Sequence, residues 1–439
     1  MGYADRFRRQ RSATVGEVVY SLTHSPYTAL GDLYLEDRLG RRRRHPGWVP
    51  VVYCALARHL GSYNRLDAEL ADGLWAQLLA AADDAGLEPA PRSEPFRYYH
   101  HAYWRDLIMS DDTARHHLLT RLTEIALEQA RRQGLLLPHG PGSITHPHRR
   151  RLIYGDGTIL RPRFRYRPDN TGARNDPSAA THTRHDGHIW GNNYVLISAR
   201  GEHPYSRVVL AIGRVPEPGG EAATAIELIQ HVHQLAGPGI VGVAYDGAFQ
   251  GAHHDKIMRT TGLVVINKPH VAVRGDEVVV KRHTLGTYTH TVGRHNQTCS
   301  HQLAAVNGRI ADIEITEDGT PAVVAWANRH QVKRARRADG TYRFNMVIRL
   351  TCRHHNCDWD TWLSPHDDPE HIRLLPPDDI DFDRLYAVRP DAESLNASFK
   401  ASLVADRAPS IGWQRQLYDV AGFTILHNAT NLHRQASIR

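Results

Sequence analysis

The sequence predicts an α/β protein in which a mixed sheet with flanking helices is interrupted by an antiparallel β insertion and preceded by an all-helical N-terminal domain. Three observations predict it. Residues 1–145 carry mainly helical patterning. From Arg151, short apolar runs separated by Gly and Pro alternate with helical segments. Between 268 and 385, the dipeptides Asn307-Gly308, Asp318-Gly319 and Asp339-Gly340 each sit between β-rich runs, as hairpin turns do.

In the first region, Val51 to Leu60 reads as an apolar helix stopped by Gly61, followed by a polar turn and the helical stretches Arg65–Leu70 and Leu74–Ala82. The spacing permits a helix-turn-helix and equally an ordinary bundle. Asp111-Asp112 cap a helix with Leu118, Leu122, Ile125 and Ala126 on one face and a stop at Gly134. Pro138 to His148 reads as a linker. Leu152–Tyr154, Thr158–Leu160, Tyr194–Ser198 and Arg207–Ile212 then read as strands, and Glu221–Leu235 as a helix. Ile240–Tyr245 is a buried-type strand. A helix near His253–Arg259 and a strand at Leu263–Ile266 follow. After the insertion, Glu393–Leu403 and Trp413–Leu432 are helical. The expected boundaries are therefore 1–145, 146–267, 268–385 and 386–439.

Composition narrows the function classes. The 439 residues include 54 Lys+Arg against 47 Asp+Glu, a net charge of +7, with 30 histidines. No apolar run approaches the ~20 residues of a membrane span, and the N-terminus shows no secretory pattern. Cys54, Cys299, Cys352 and Cys357 are too few for a disulfide framework, so a reducing cytosol is expected. A basic balance favours a polyanionic partner, nucleic acid before membrane. Only five of the cations are lysines: Lys256, Lys268, Lys281, Lys333 and Lys400.

Two acids stand in short glycine-flanked strings, Tyr154-Gly155-Asp156-Gly157 and Tyr245-Asp246-Gly247, both read as strand ends. A lone Asp-Gly is most often a hairpin turn. Asp246, however, follows a strand and precedes a helix. A third acid sits in a longer string: Tyr386, Arg389, Glu393 and Lys400. On a helix at ~100° per residue, Lys400 falls within ~20° of Glu393. Pro390 suits a first helical turn, so Tyr386 and Arg389 belong at or just before the helix start.

This string resembles the Tyr-Arg-Glu-Lys signature of the DDE transposases of the fourth insertion-sequence family. By this chain's composition, such a pattern arises by chance about once in a thousand sequences. The resemblance spans about 151–435 and takes in the two acids and the β insertion. It implies an RNase H-like catalytic domain split by the insertion, with Asp156, Asp246 and Glu393 as catalytic carboxylates holding two Mg²⁺ or Mn²⁺ ions. It implies that Tyr386, Arg389 and Lys400 contact DNA phosphates. The implied activity is cleavage of transposon ends and strand transfer into target DNA, through a hairpin on the flanking strand. The implied partners are double-stranded DNA carrying terminal inverted repeats, target DNA and a second copy in a homodimer on paired ends, with no membrane and a bacterial cytoplasmic, nucleoid-associated location. Residues 1–145 would then bind DNA. Hard divalent ions suit carboxylate oxygens, and two of them assist in-line phosphodiester displacement. The alternatives are a transposase-derived DNA-binding protein without catalysis and an RNase H-like nuclease.

Secondary signals remain. Trp326, Trp359 and Trp362 are candidates for stacking a flipped base, or core residues. Cys299, His301, Cys352 and Cys357 compose a possible structural zinc set, with reduced thiols and surface histidines the alternative. His182, His185 and His188 fall in a polar stretch read as a loop between strands. Arg41–Arg44, Arg149–Arg151 and Lys333–Arg337 are basic runs suited to phosphate or to a solvated face.

Overall fold

The computed structural model describes residues 13–34, 45–88, 93–166, 175–184, 187–269, 272–274, 277–279, 282–292 and 297–437. Arg41–Arg44 and His185 lie outside them. The described helices are α1 (Val15–Thr23), α2 (Trp48–Leu60), α3 (Tyr63–Glu69), α4 (Trp75–Asp84), α5 (Tyr98–Ser110), α6 (Asp112–Arg132), α7 (Glu221–Ala236), α8 (Gly251–Thr261), α9 (Phe382–Tyr386), α10 (Arg389–Ala401) and α11 (Trp413–Ala436). The first strands are β1 (Leu152–Leu160), β2 (Ala180–Arg184), β3 (Gly187–Ala199), β4 (Val208–Arg214), β5 (Gly242–Ala244) and β6 (Val264–Ile266). They form a mixed sheet in the order β2-β3-β1-β5-β6, with β4 also on β3. Strands β1, β5 and β6 are parallel, whereas β2, β3 and β4 pair antiparallel. The α/β class is as expected.

The chain divides into two compact units: 1–136, 155–235 and 391–439 make one, and 137–154 and 236–390 the other. In the first unit the N-terminal helices share one hydrophobic core with α10, α11 and the sheet, through Leu56, Leu66, Leu122, Tyr194, Val209, Leu395, Phe399 and Leu417. Helix α2 is buried along almost its whole length. It ends where Gly61 takes φ +77°, a conformation that glycine adopts without strain. Asp111 caps α6 by accepting from the amides of Thr113 and Ala114. Gly422 of α11 lies against α2 so closely that a Cβ there would meet Cys54 Sγ at 2.4 Å.

Desolvation holds three of the described histidines well below the usual imidazole pKa. His101, fully buried, is held well below its usual pKa by desolvation, then by Arg105 and Arg58. His427 is lowered by burial, Arg207 and Arg200, and in the second unit His254 by burial and Arg373. The unfolded chain protonates these rings near pH 6.5 and the folded chain does not. Their stabilisation is therefore complete above that pH and is lost as pH falls below it, at up to about 1.4 kcal/mol per pH unit for each ring. Urea unfolding at pH 7.5 and 5.5 checks this. The expected result is a clear fall in the midpoint; equal midpoints would overturn it.

The second unit carries the β insertion. A four-stranded antiparallel sheet contains β9 (Arg282–Val292), β10 (Gln297–Val306), β11 (Arg309–Ile315) and β12 (Pro321–Trp326) in the order β12-β11-β10-β9. A second sheet holds β13 (Asn328–Arg336), β14 (Tyr342–Thr351) and β15 (Asp358–Leu363). Short β7 (Ala272–Arg274) and β8 (Glu277–Val279) form a separate pair. All three predicted hairpin dipeptides sit in turns between paired strands. Asn307 and Gly308 both adopt positive φ, 49° and 89°, the backbone of a two-residue turn matched to strand twist.

Three local expectations need correction. Leu152–Leu160 is one unbroken strand, so Asp156 is mid-strand rather than at a strand end. Ile240–Tyr245 yields strand only at Gly242–Ala244, because β1 and β6 pair with it over three residues each. His182 and His188 are on the paired strands β2 and β3, not in a loop, and His182 is buried.

Candidate active site

In the first unit the site is built on β1 and α10. Asp156 is half-buried on β1. Its carboxylate oxygen accepts a 3.0 Å hydrogen bond from Asn396 Nδ2, which also donates to Gly157 O at 3.2 Å. Asn396 is buried on α10, one turn beyond Glu393, and Glu393 itself is exposed. The helix is amphipathic in the required sense. Leu395 and Phe399 enter the core, which holds the polar face carrying Glu393, and Lys400 two turns on, at the edge of the unit. Its first turn is fixed by buried Asp391, which pairs with buried Arg200, and by Arg207 donating to Asp391 O at 2.7 Å.

Beside Asp156 stands a carboxylate that the sequence reading did not single out. Glu221 opens α7 and accepts from Asn193 Nδ2 at 3.0 Å. A Cβ on Gly157 would lie 2.0 Å from Glu221 Oε2. This contact accounts for glycine after Asp156 in a strand with no turn. Gly157→Ala is expected to push the Glu221 side chain away and break its bond to Asn193. Because a carboxylate can swing, the stability cost should stay near ~1 kcal/mol. A loss above ~3 kcal/mol in chemical denaturation would mean that the backbone, not the side chain, moves.

In the second unit Asp246 lies two residues past β5 and begins the turn into α8. Its Oδ1 accepts from Ala248 N at 2.9 Å, closing an Asx turn. Its Oδ2 is 3.8 Å from Arg389 Nη2, and both side chains are partly exposed. Tyr245 and Phe249 stack at 4.1 Å beneath this turn. Arg389 is the first residue of α10 and Tyr386 the last of α9, as the position of Pro390 predicts. Tyr386 stacks on Phe382 at 5.1 Å, and Lys268 Nζ lies 5.6 Å from its ring. The signature is thus distributed: Asp156, Glu393 and Lys400 belong to the first unit, and Asp246, Tyr386 and Arg389 to the second.

Other candidates divide by burial. Trp359 is 7% exposed and stacks on His290, so it is a core ring. Trp326 and Trp362 are 42% and 52% exposed, each with a cation over its ring: Arg309 at 5.0 Å and Lys333 at 4.5 Å. Arg151 is occupied structurally. Its guanidinium donates to the carbonyls of Pro138, Gly140, Pro238 and Gly239, which removes it from the basic run as a phosphate ligand. Lys333 and Arg336 remain exposed on β13, whereas Arg334 donates to Gly262 O at 2.7 Å. In the cysteine region, the ligand atoms of His290, Cys352 and Cys357 lie within 4.8 Å of one another, and His301 Nδ1 is bonded to Asp312.

Comparison with family models, curated proteins and solved structures finds no match to this chain. Among the described residues no helix is long and apolar enough to cross a membrane.

Proposed function

We propose that the chain is a DNA transposase that cleaves the ends of a mobile element and joins them to target DNA, with Asp156, Asp246 and Glu393 as its catalytic carboxylates. The observation that carries the proposal is the Tyr386-Arg389-Glu393-Lys400 register following two acids in the required order, in a chain with only five lysines. Two features of the fold support it. The sheet is mixed, as an RNase H-like catalytic domain requires, and antiparallel sheets occupy the stretch between Asp246 and Glu393. Asn396, one turn from Glu393, is bonded to Asp156, so the helix of one acid rests on the strand of another.

The donor set fits Mg²⁺ or Mn²⁺: carboxylates that are partly or fully exposed and offer hard oxygen ligands. When bound, such ions supply Lewis acidity and an activated water or 3′-hydroxyl for in-line phosphodiester displacement. The chain's own residues do the remaining work. Asn396 orients the Asp156 carboxylate. Arg389 and Lys400 bring positive charge to backbone phosphates, and the Tyr386 hydroxyl donates to them. Exposed Trp362 and Trp326 offer faces on which a base can stack. A second copy of the chain serves the paired end.

The test incubates full-length protein, Mg²⁺ and DNA bearing the inverted repeats that flank its gene. Specific nicking at the repeat ends followed by joining to a second duplex is the expected result. Cleavage without joining would replace the proposal with a nuclease. Binding without cleavage by folded protein would replace it with a DNA-binding protein.

A further inference from the structure

Strands β9 and β10 place His290 directly opposite Cys299, and His301 lies two residues further along β10 on the same face. Beyond β14, the loop Cys352–Cys357 folds back on itself: Cys352 N donates to Cys357 O, and Asn356 N to Cys352 O, both at 2.8 Å. Asn356 takes φ 48° to close it. The ligand atoms of His290, Cys352 and Cys357 all lie within 4.8 Å of one another, and Cys299 is paired with His290 across the two strands.

The surroundings are those of a fixed site. Cys299 and Cys352 are buried, and the three thiols are not joined in a disulfide. His290 Nε2 and His301 Nε2 are both buried ring nitrogens with no hydrogen-bond partner. The Trp359 ring stacks parallel to His290 at 4.9 Å and sets its plane. Next to it His301, wholly buried, is bonded through Nδ1 to the equally buried Asp312 at 2.7 Å. The carboxylate bond fixes the tautomer and orientation of this ring.

We propose that His290, Cys299, Cys352 and Cys357 hold a structural zinc ion, with the His301–Asp312 pair supporting them. Three sulfurs and one imidazole are soft donors that select zinc over the hard ions of a carboxylate site. The ion has a mechanical reason to be there. The apolar cluster of the β9–β12 sheet consists of Ala304, Val306, Ala311 and Ile313, with Val323 against it. Such a core is small, and small cores are commonly reinforced by a metal. The four ligands come from β9, β10 and the β14–β15 loop, so one ion staples the two antiparallel sheets of the insertion together.

The test reads metal and not DNA chemistry, so it is independent of the proposed function. Full-length protein is purified without chelator and its metals are measured. About one zinc per chain is expected, released when p-hydroxymercuribenzoate caps the thiols. Cys352→Ser and His290→Asn should each lower zinc at least tenfold. His283→Ala, in the separate His283–Asp368–His371 cluster, should leave it unchanged. If the variants fail to fold, cobalt(II) substitution of the wild-type protein decides: thiolate-to-cobalt charge-transfer bands with tetrahedral d–d absorption support the site. Zinc below about a tenth of an equivalent, before and after incubation with zinc sulfate, would overturn it. So would a Cys352–Cys357 disulfide, or zinc lost from His301→Asn but retained in His290→Asn.

Discussion

Asp156→Asn is expected to abolish cleavage of the element's ends, slowing it by at least ~10³-fold, or ~4 kcal/mol at the transition state, while leaving the fold intact. The substitution is nearly isosteric. Its amide oxygen still accepts from Asn396 Nδ2, so the 3.0 Å contact between β1 and α10 survives. What disappears is the negative charge that a divalent ion requires. Glu393→Gln should behave alike, and more cleanly, because Glu393 is exposed on α10 and contributes nothing to the core. Single-turnover nicking in Mg²⁺ is the measurement, with circular dichroism as the control for folding. Retention of more than about a tenth of wild-type cleavage by either variant would remove that carboxylate from the active site.

The second large effect concerns stability. Asp419 is fully buried in α11, and its Oδ1 accepts from Tyr63 Oη at 2.5 Å. Arg58, wholly buried, lies with its guanidinium 4.9 Å from the Tyr63 ring centre, and Arg105 is buried nearby. Burial, then the Asp419 carboxylate, keeps the Tyr63 phenol protonated. Arg105 has a second carboxylate at Asp106, 2.9 Å away. Asp419→Ala therefore leaves Arg58 as the charge without compensation and is expected to cost about 3–5 kcal/mol. Replacing the charge as well, in Asp419→Leu with Arg58→Met, should recover much of that loss, because two apolar side chains need no counter-ion. Chemical denaturation of the single and double variants measures the coupling. A cost below about 1 kcal/mol for Asp419→Ala, or strict additivity, would show that the charges do not depend on each other.

Much of this protein was legible locally. The Asp111 cap, the Gly61 stop and the Asn307-Gly308 turn are decided by dihedral preference and by nearby amides, so neighbouring residues suffice to read them. The same holds for the helix that carries Arg389, Glu393 and Lys400, whose start Pro390 marked. By itself, then, the sequence determined the class of fold, the hairpins of the insertion and the spacing of the signature.

Pairings across the chain were decided only in the folded protein. Asp-Gly at 156–157 is a turn signal in isolation. Burial of β1 between its neighbours makes it an unbroken strand, and the Glu221 carboxylate fills the space where a side chain would stand. Asn396 meets Asp156 across 240 positions of sequence, and no periodicity reports such a contact. His290 is set opposite Cys299 by the register of β9 on β10, while Asp312 engages Nδ1 of His301, the histidine in the set read from the sequence. Backbone preference is a property of a few residues, whereas register and burial are properties of the whole packed chain. The sequence therefore determined where the chemistry-bearing residues could be, and tertiary packing decided which of them became partners.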